Sequence, residues 1–183
     1  NPFAVCLVNQ IIKGEGLRIT TQADLEKILK INALNLKGHY EDTGLVLRGE
    51  NEPNSYLARD LLKQTRDFKL PVMIPLNSLE LRTDNDSNYG LAFNLTDNSE
   101  LVHASILNEY SGQKFSSDDI DEKTGLPKKL GNGDRYLWTR NSGLCRLFLY
   151  GDLGSSSYGG RLSGSVAHGR VVVVRGKATT QNL

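Results

Sequence analysis

The sequence predicts an α+β fold, a mainly antiparallel sheet with two amphipathic helices packed on one face. Two segments place apolar residues at helical spacing, and more numerous short segments alternate apolar and polar residues with the period of a strand. A glycine- and serine-rich stretch late in the chain indicates a long loop. With 183 residues, of which 38% are apolar, one domain over residues 1–183 is the most economical arrangement.

The two predicted helices have recognisable first turns. Thr21 and Asp24 have the spacing of a capping box, so the first helix is expected over residues 21–34. The second is expected to open at Asn51–Pro53, where the proline suits a first turn, and to end before Pro71. Each segment has one apolar face, and these faces consist of Leu25, Ile28 and Leu29 in the first and of Leu57, Leu61 and Leu62 in the second.

The two-residue period that is typical of strands first appears at residues 44–48, where we predict a strand. Residues 78–83, 89–96 and 100–106 predict a three-stranded meander. Its middle strand places four large side chains on one face, which should meet a helix because that face is too apolar to stay in water. These four side chains are Tyr89, Leu91, Phe93 and Leu95.

Two further strands are predicted late in the chain, over residues 144–150 and 170–175. The second is apolar at every interior position, so it is expected to be buried on both faces. Between them, residues 151–169 contain six glycines and five serines, which favours a mobile connection over an anion-binding loop. Cys6 and Cys145 lie in apolar surroundings and are predicted to be buried free thiols.

Charge is distributed unevenly along the chain. Residues 1–122 hold 12 Lys and Arg against 19 Asp and Glu, whereas residues 123–183 hold 10 against 2. The formal charges of −7 and +8 almost cancel in the total of +1. Clustered positive charge attracts phosphates and carboxylates, so residues 123–183, the basic third, indicate an anionic partner. If the chain had two domains, their boundary would fall near residue 122.

The function predicted from this charge pattern is binding without catalysis, in which the basic third engages nucleic acid or another polyanion. Rings of Tyr136 and Trp138 lie between cations, and an exposed ring can stack an unpaired base while cations neutralise phosphates. In an extended strand, the even positions of residues 135–140 face one side, so the rings share a face with Arg140 alone. The competing interpretation places both rings in the core. The predicted contact residues are Lys128, Lys129, Arg135, Trp138, Arg140, Arg161, Arg170 and Arg175.

A second hypothesis is a structural or assembly protein in which acidic and basic regions pair, within one chain or between copies. The acidic segment Asp118–Glu122 directly precedes the basic third and could cover it. Self-association is therefore an alternative to a polyanion as the partner. No apolar run approaches the roughly 20 residues that a membrane helix requires, so no membrane partner is predicted.

Signals for catalysis are weak. A metal-dependent nuclease would need carboxylates for magnesium, and the candidates are Asp84, Asp86 and Glu100. Their spacing matches neither such a nuclease nor a calcium loop. Serines of residues 151–169 lie near His168 and Asp152, yet the chain has no nucleophile elbow there. Neither zinc-ligand spacing nor a phosphate-binding glycine motif occurs, so no metal and no cofactor are predicted.

Overall fold

The computed structural model describes residues 1–66 and 68–175, and within them the α+β class is confirmed. The helices of this part of the chain are α1 (Pro2–Ile12), α2 (Gln22–Lys30) and α3 (Ser55–Thr65). Its strands are β1 (Leu17–Ile19), β2 (Tyr40–Leu47), β3 (Val72–Pro75), β4 (Leu79–Thr83), β5 (Leu91–Leu95), β6 (Val102–His103), β7 (Gln113–Phe115), β8 (Arg135–Trp138), β9 (Leu144–Leu149), β10 (Ser155–Ser156), β11 (Gly169–Arg170) and β12 (Val173–Arg175).

A mainly antiparallel sheet forms the centre of the fold. Its strands follow the order β6-β3-β2-β9-β10-β8-β7, and β11 also pairs with β2. The pairs β10–β8 and β11–β2 are parallel, and the others are antiparallel. This sheet draws strands from both sides of residue 122, so the acidic part of the chain and the basic third share one sheet.

Helices cover both faces of the central sheet. Leu45 and Leu47 of β2 belong to one hydrophobic cluster with residues of α1 and α3, whereas Val46 between them belongs to a second cluster. On the face of Val46, Leu25 of α2 packs against Leu149 of β9. The two predicted helices therefore lie on opposite faces and not on one, because β2 is apolar at consecutive positions and needs cover on each side.

The ends of the helices differ from the sequence predictions. The capping box of α2 is confirmed, since Thr21 accepts from the backbone N–H of Asp24 and the Asp24 side chain accepts from that of Thr21. This helix ends at Lys30, four residues early, and α3 begins at Ser55, so Pro53 lies outside it. The side chain of Asn54 donates to the carbonyls of Leu144 and Gly160, which ties the start of α3 to β9.

Helix α1 was not predicted from the sequence. Asn1 caps it by accepting from the backbone N–H of Ala4, and its apolar residues are spread around much of the helix, so no single face stands out. The ring of Phe3 stacks on Phe93 with 4.8 Å between centroids and 9° between planes. The predicted apolar face of the strand around Phe93 is thereby confirmed, and helices α1 and α3 are the elements that cover it.

Two predicted strands are wrong in the structure. The third strand of the meander is reduced to β6, which pairs with β3 of the central sheet, because a 3₁₀ turn occupies Ser105–Asn108. The strand predicted over residues 170–175 divides into β11 and β12, which pair with β2 and β1. Val171 and Val173 are 38% and 39% exposed, so the predicted double burial is also wrong, since both pieces lie at sheet margins.

The predictions for the two cysteines and for the glycine- and serine-rich stretch have different outcomes. Cys6 and Cys145 are confirmed as buried free thiols. The glycine- and serine-rich stretch, by contrast, is not only a connection, because it contributes β10 to the middle of the central sheet. Residues Gly154–Ser157 are buried there.

The segment after β11 is joined to β2 by a buried carboxylate. The backbone N–H of Val172 donates to Glu41 Oε1 at 2.7 Å, and the Val172 carbonyl accepts from Thr20. Glu41 is 2% exposed, and its other carboxylate oxygen has no hydrogen-bond partner among residues 1–66 and 68–175. Burial, with the neighbouring charge of Asp42, raises the pKa of Glu41 to about 8.

Stability should therefore fall as pH rises through the range in which Glu41 ionises. The folded protein keeps a proton that the unfolded chain, with an ordinary pKa of 4.5, releases. This contribution is full below about pH 4.5 and is lost as pH rises through about 8. In urea denaturation, the free energy of unfolding of wild type should fall by a few kcal/mol between pH 5 and 9; Glu41→Gln should remove this decrease, whereas the exposed control Glu50→Gln should keep it. Equal slopes for Glu41→Gln and wild type would contradict this assignment.

Candidate nucleic-acid interface

Strand β8 turns its two rings outward. Arg135 and Leu137 are buried, whereas Tyr136 is half-buried and Trp138 is 43% exposed, which confirms the predicted alternation. The competing interpretation, in which the chain's single Trp is a core residue, does not fit this exposure. The two ring centroids are 6.1 Å apart with planes 23° from parallel.

The neighbouring strand β7 supports these rings. Lys114 pairs with Tyr136 across the β7–β8 ladder, and its Nζ lies 5.5 Å from the tyrosine ring centroid. Gly112 has φ +74° and lies under the indole, where a Cβ would come within 2.9 Å of a Trp138 ring carbon. The absence of a side chain at Gly112 thus allows the Trp138 ring to lie over the edge of the sheet.

Aromatic residues continue across the sheet in one row. In the register of β10, Gly154 lies between Tyr136 and Tyr150, and the Tyr150 N–H donates to the Gly154 carbonyl. Tyr150, 40% exposed, meets Tyr40 at 4.8 Å between centroids. We call Lys114, Tyr136, Gly154, Tyr150 and Tyr40 the aromatic row. Sequence reasoning found only Tyr136 and missed the other four residues, since only strand pairing brings them together.

A second cation and ring lie at the end of β8. The Arg140 guanidinium carbon is 5.1 Å from the ring centroid of Tyr158, which is 53% exposed. Ser157, the residue before this tyrosine, donates its backbone N–H to the carbonyl of Trp138. Arg140 and Tyr158 are thus held beside Trp138, and of the predicted contact residues only Trp138 and Arg140 are brought together in this way.

Arg135 does not lie on this surface. It is 6% exposed, and its two terminal nitrogens each donate to a different oxygen of Glu26 at 2.7 Å. In the same manner, Arg146 donates to both oxygens of Asp42 at 2.7 and 2.6 Å. Two cations of the basic third are therefore neutralised by acids of the same chain, and Arg135 is left out of the proposed interface.

The other predicted contact residues are exposed but dispersed. Lys129 approaches Asp119 at 3.6 Å, and Lys128 borders a cleft of about 200 Å³ that also includes His103 and Thr124. The remaining three lie on the segment after Tyr158, on β11 and on β12, and they are Arg161, Arg170 and Arg175. The basic third is consequently spread over several parts of the surface.

Catalytic arrangements considered from the sequence do not come together. Ser155 and Ser157 are buried and accept hydrogen bonds from Gln22 and Arg48, while His168 is exposed. Asp84 accepts from Tyr56 and Arg82. Within residues 1–66 and 68–175, no group of three or more His, Cys, Asp or Glu is arranged to hold a metal ion.

Comparisons with protein-family models, with curated proteins and with solved structures find no match. Of the helices in the described residues, none is both long and apolar enough to cross a membrane.

The Glu26–Arg135 pair should contribute strongly to stability because each partner is buried. Arg135→Met leaves the Glu26 carboxylate without its partner and should lower the free energy of unfolding by about 3–5 kcal/mol in urea denaturation. The double variant Glu26→Leu, Arg135→Met should recover part of this loss, since no charge then stays unpaired. Lys129→Ala removes an exposed pair and should change stability by less than about 0.5 kcal/mol. A loss for Arg135→Met as small as that of Lys129→Ala would contradict the role of the pair.

Proposed function

We propose that the protein binds single-stranded nucleic acid, without catalysis, through the aromatic row together with Trp138, Arg140 and Tyr158. The observation that carries the proposal is the exposure of the chain's single Trp on a sheet face between two cations, Lys114 and Arg140. Contiguous exposed apolar surface, unlike single exposed residues, is typical of a ligand-binding site.

The arrangement favours unpaired bases over a duplex. Stacking of one base on an aromatic side chain contributes about 1–3 kcal/mol, and it requires a base whose face is free. Tyr136 lies on β8 and Tyr150 directly follows β9, and β10 lies between these two strands, so the two platforms are about 10 Å apart, twice the spacing of neighbouring strands. Successive bases of one strand could therefore stack on different rings while Lys114 and Arg140 neutralise phosphates.

Emission of Trp138 provides a direct test. Addition of a 12-nucleotide single strand should quench this fluorescence, with an affinity that falls as salt rises, and the matching duplex should bind more weakly. Trp138→Ala, followed with a labelled strand, should weaken binding about 5- to 100-fold. Lys114→Ala should reduce the salt slope by about 0.7, whereas the exposed control Lys30→Ala should not. Absence of binding at low salt, or unchanged affinity of Trp138→Ala, would refute the proposal.

A carboxylate beside the aromatic row gives a change in the opposite direction. Asp152 is exposed, and its Oδ1 accepts from the backbone N–H of Gly154 at 2.9 Å. Asp152→Asn keeps an acceptor at this atom and removes a negative charge, so affinity for the single strand should rise about two- to five-fold at low salt. Asp97→Asn, on an exposed residue after β5, is the matched control. Equal affinities of Asp152→Asn and wild type would place the bound phosphates elsewhere.

A further inference from the structure

A cleft of about 280 Å³ lies between the start of α3 and the turn that joins β4 to β5, and residues 52–57 and 87–89 line it. Of these residues, Leu57 and Ser87 are buried, whereas Glu52 and Asn88 are exposed, so the cleft has a closed floor and an open mouth. Sites for drug-sized ligands have volumes from roughly 300 Å³ upward, so this cleft suits a smaller ligand, such as one nucleotide base.

Hydroxyl and amide groups dominate the lining, and Glu52 is its one charged residue. The Ser55 hydroxyl donates to Glu52 Oε1 at 2.8 Å. Because a carboxylate offers about four lone-pair sites, Glu52 can still accept further hydrogen bonds. The exposed amide of Asn88 adds two donors and an acceptor at the mouth. This lining favours a neutral ligand that donates N–H groups over an anion, which Glu52 would repel.

Hydrogen bonds hold the two tyrosines of the cleft in place. The Tyr56 hydroxyl lies 3.0 and 3.1 Å from the two carboxylate oxygens of Asp84. The Tyr89 hydroxyl donates to Asn54 Oδ1 at 2.8 Å. The walls of the cleft are therefore fixed before a ligand enters, which lowers the entropic cost of binding.

The cleft adjoins the proposed nucleic-acid surface at Arg140. Gly160 packs so closely on Pro53, which lines the cleft, that a Cβ on this glycine would lie 2.7 Å from Pro53 Cβ. The same Cβ would lie 3.6 Å from Arg140 Nη1, so the guanidinium and Pro53 flank one glycine. The Ser142 hydroxyl also donates to the Glu52 carbonyl at 3.0 Å, which joins the turn after β8 to the cleft. A phosphate neutralised by Arg140 would thus bring the adjoining nucleotide to the mouth of the cleft.

We propose that this cleft takes one guanine base of the bound strand and that Glu52 determines the preference, so the inference rests on the proposed function. The Watson–Crick edge of guanine carries adjacent N–H donors at N1 and N2, which match the oxygens of a carboxylate. Asn88 can donate to guanine O6 at the same edge. Adenine has an acceptor at N1, which the Glu52 carboxylate would repel.

Two labelled thymidine strands that differ only at one central base test the cleft. Wild type should bind the strand with guanine about 5- to 100-fold more tightly than the strand with adenine. Adenine is the matched comparison because both purines offer a ring face for stacking on Trp138. Glu52→Gln should remove most of this preference, whereas Glu50→Gln, an exposed control in the same loop, should keep it.

A second variant tests the position of the site without changing its charge. Asn88→Phe places a ring at the mouth of the cleft and should lower the affinity for the guanine strand to that for the adenine strand. The affinity for the adenine strand should stay unchanged. Asn88 and Glu52 are both exposed, so these variants should fold, and their Tm values check this.

The outcomes separate the cleft from the surface beside it. Equal affinities of wild type for the two strands, or a guanine preference that persists in Glu52→Gln or in Asn88→Phe, would overturn the inference and leave the proposed function intact. Absence of binding to either strand at low salt would refute the proposed function, and the guanine site with it.

Discussion

The buried pair of Glu26 and Arg135 determines how the rest of the surface is arranged. It joins α2, from the acidic part of the chain, to β8, from the basic third, with both side chains less than a tenth exposed. Neighbouring side chains of a strand point to opposite faces. When Arg135 and Leu137 point inward, Tyr136 and Trp138 must both point to the other face. The same ion pair that docks α2 therefore fixes the outward direction of the rings.

Much of the fold was predictable wherever a local pattern decides the structure. The capping box of α2, the apolar face around Phe93 and the alternation along β8 all depend on residues close in sequence. Helix α1 was not predictable in this way, since it lacks one clear apolar face. The two-residue strand β6 carries no period of its own, and it exists only because β3 lies beside it. The division of helices between two faces follows from the tertiary position of β2.

The candidate site was predictable only in part, because net charge does not reveal which cations are already paired. Arg135 and Arg146 belong to the basic third, yet Glu26 and Asp42 neutralise them. Conversely, Lys114 and Tyr40 of the aromatic row come from outside the basic third and join the row by strand pairing. Trp138 and Arg140 could be found from the sequence, since they are near in the chain and share one face of an extended segment.

Arg48 and Arg135 are two buried arginines whose charges are balanced to different extents by their hydrogen-bond partners. Both are more than nine-tenths buried, so removing either guanidinium from water has a similar cost. A bidentate carboxylate balances the charge of Arg135. Within residues 1–66 and 68–175, Arg48 donates to a carbonyl and a hydroxyl, which accept N–H groups without balancing charge. An apolar residue would fill a purely structural position at lower cost. The charge of Arg48 is therefore left unbalanced among the residues that the structure describes, which sets it apart from the paired Arg135.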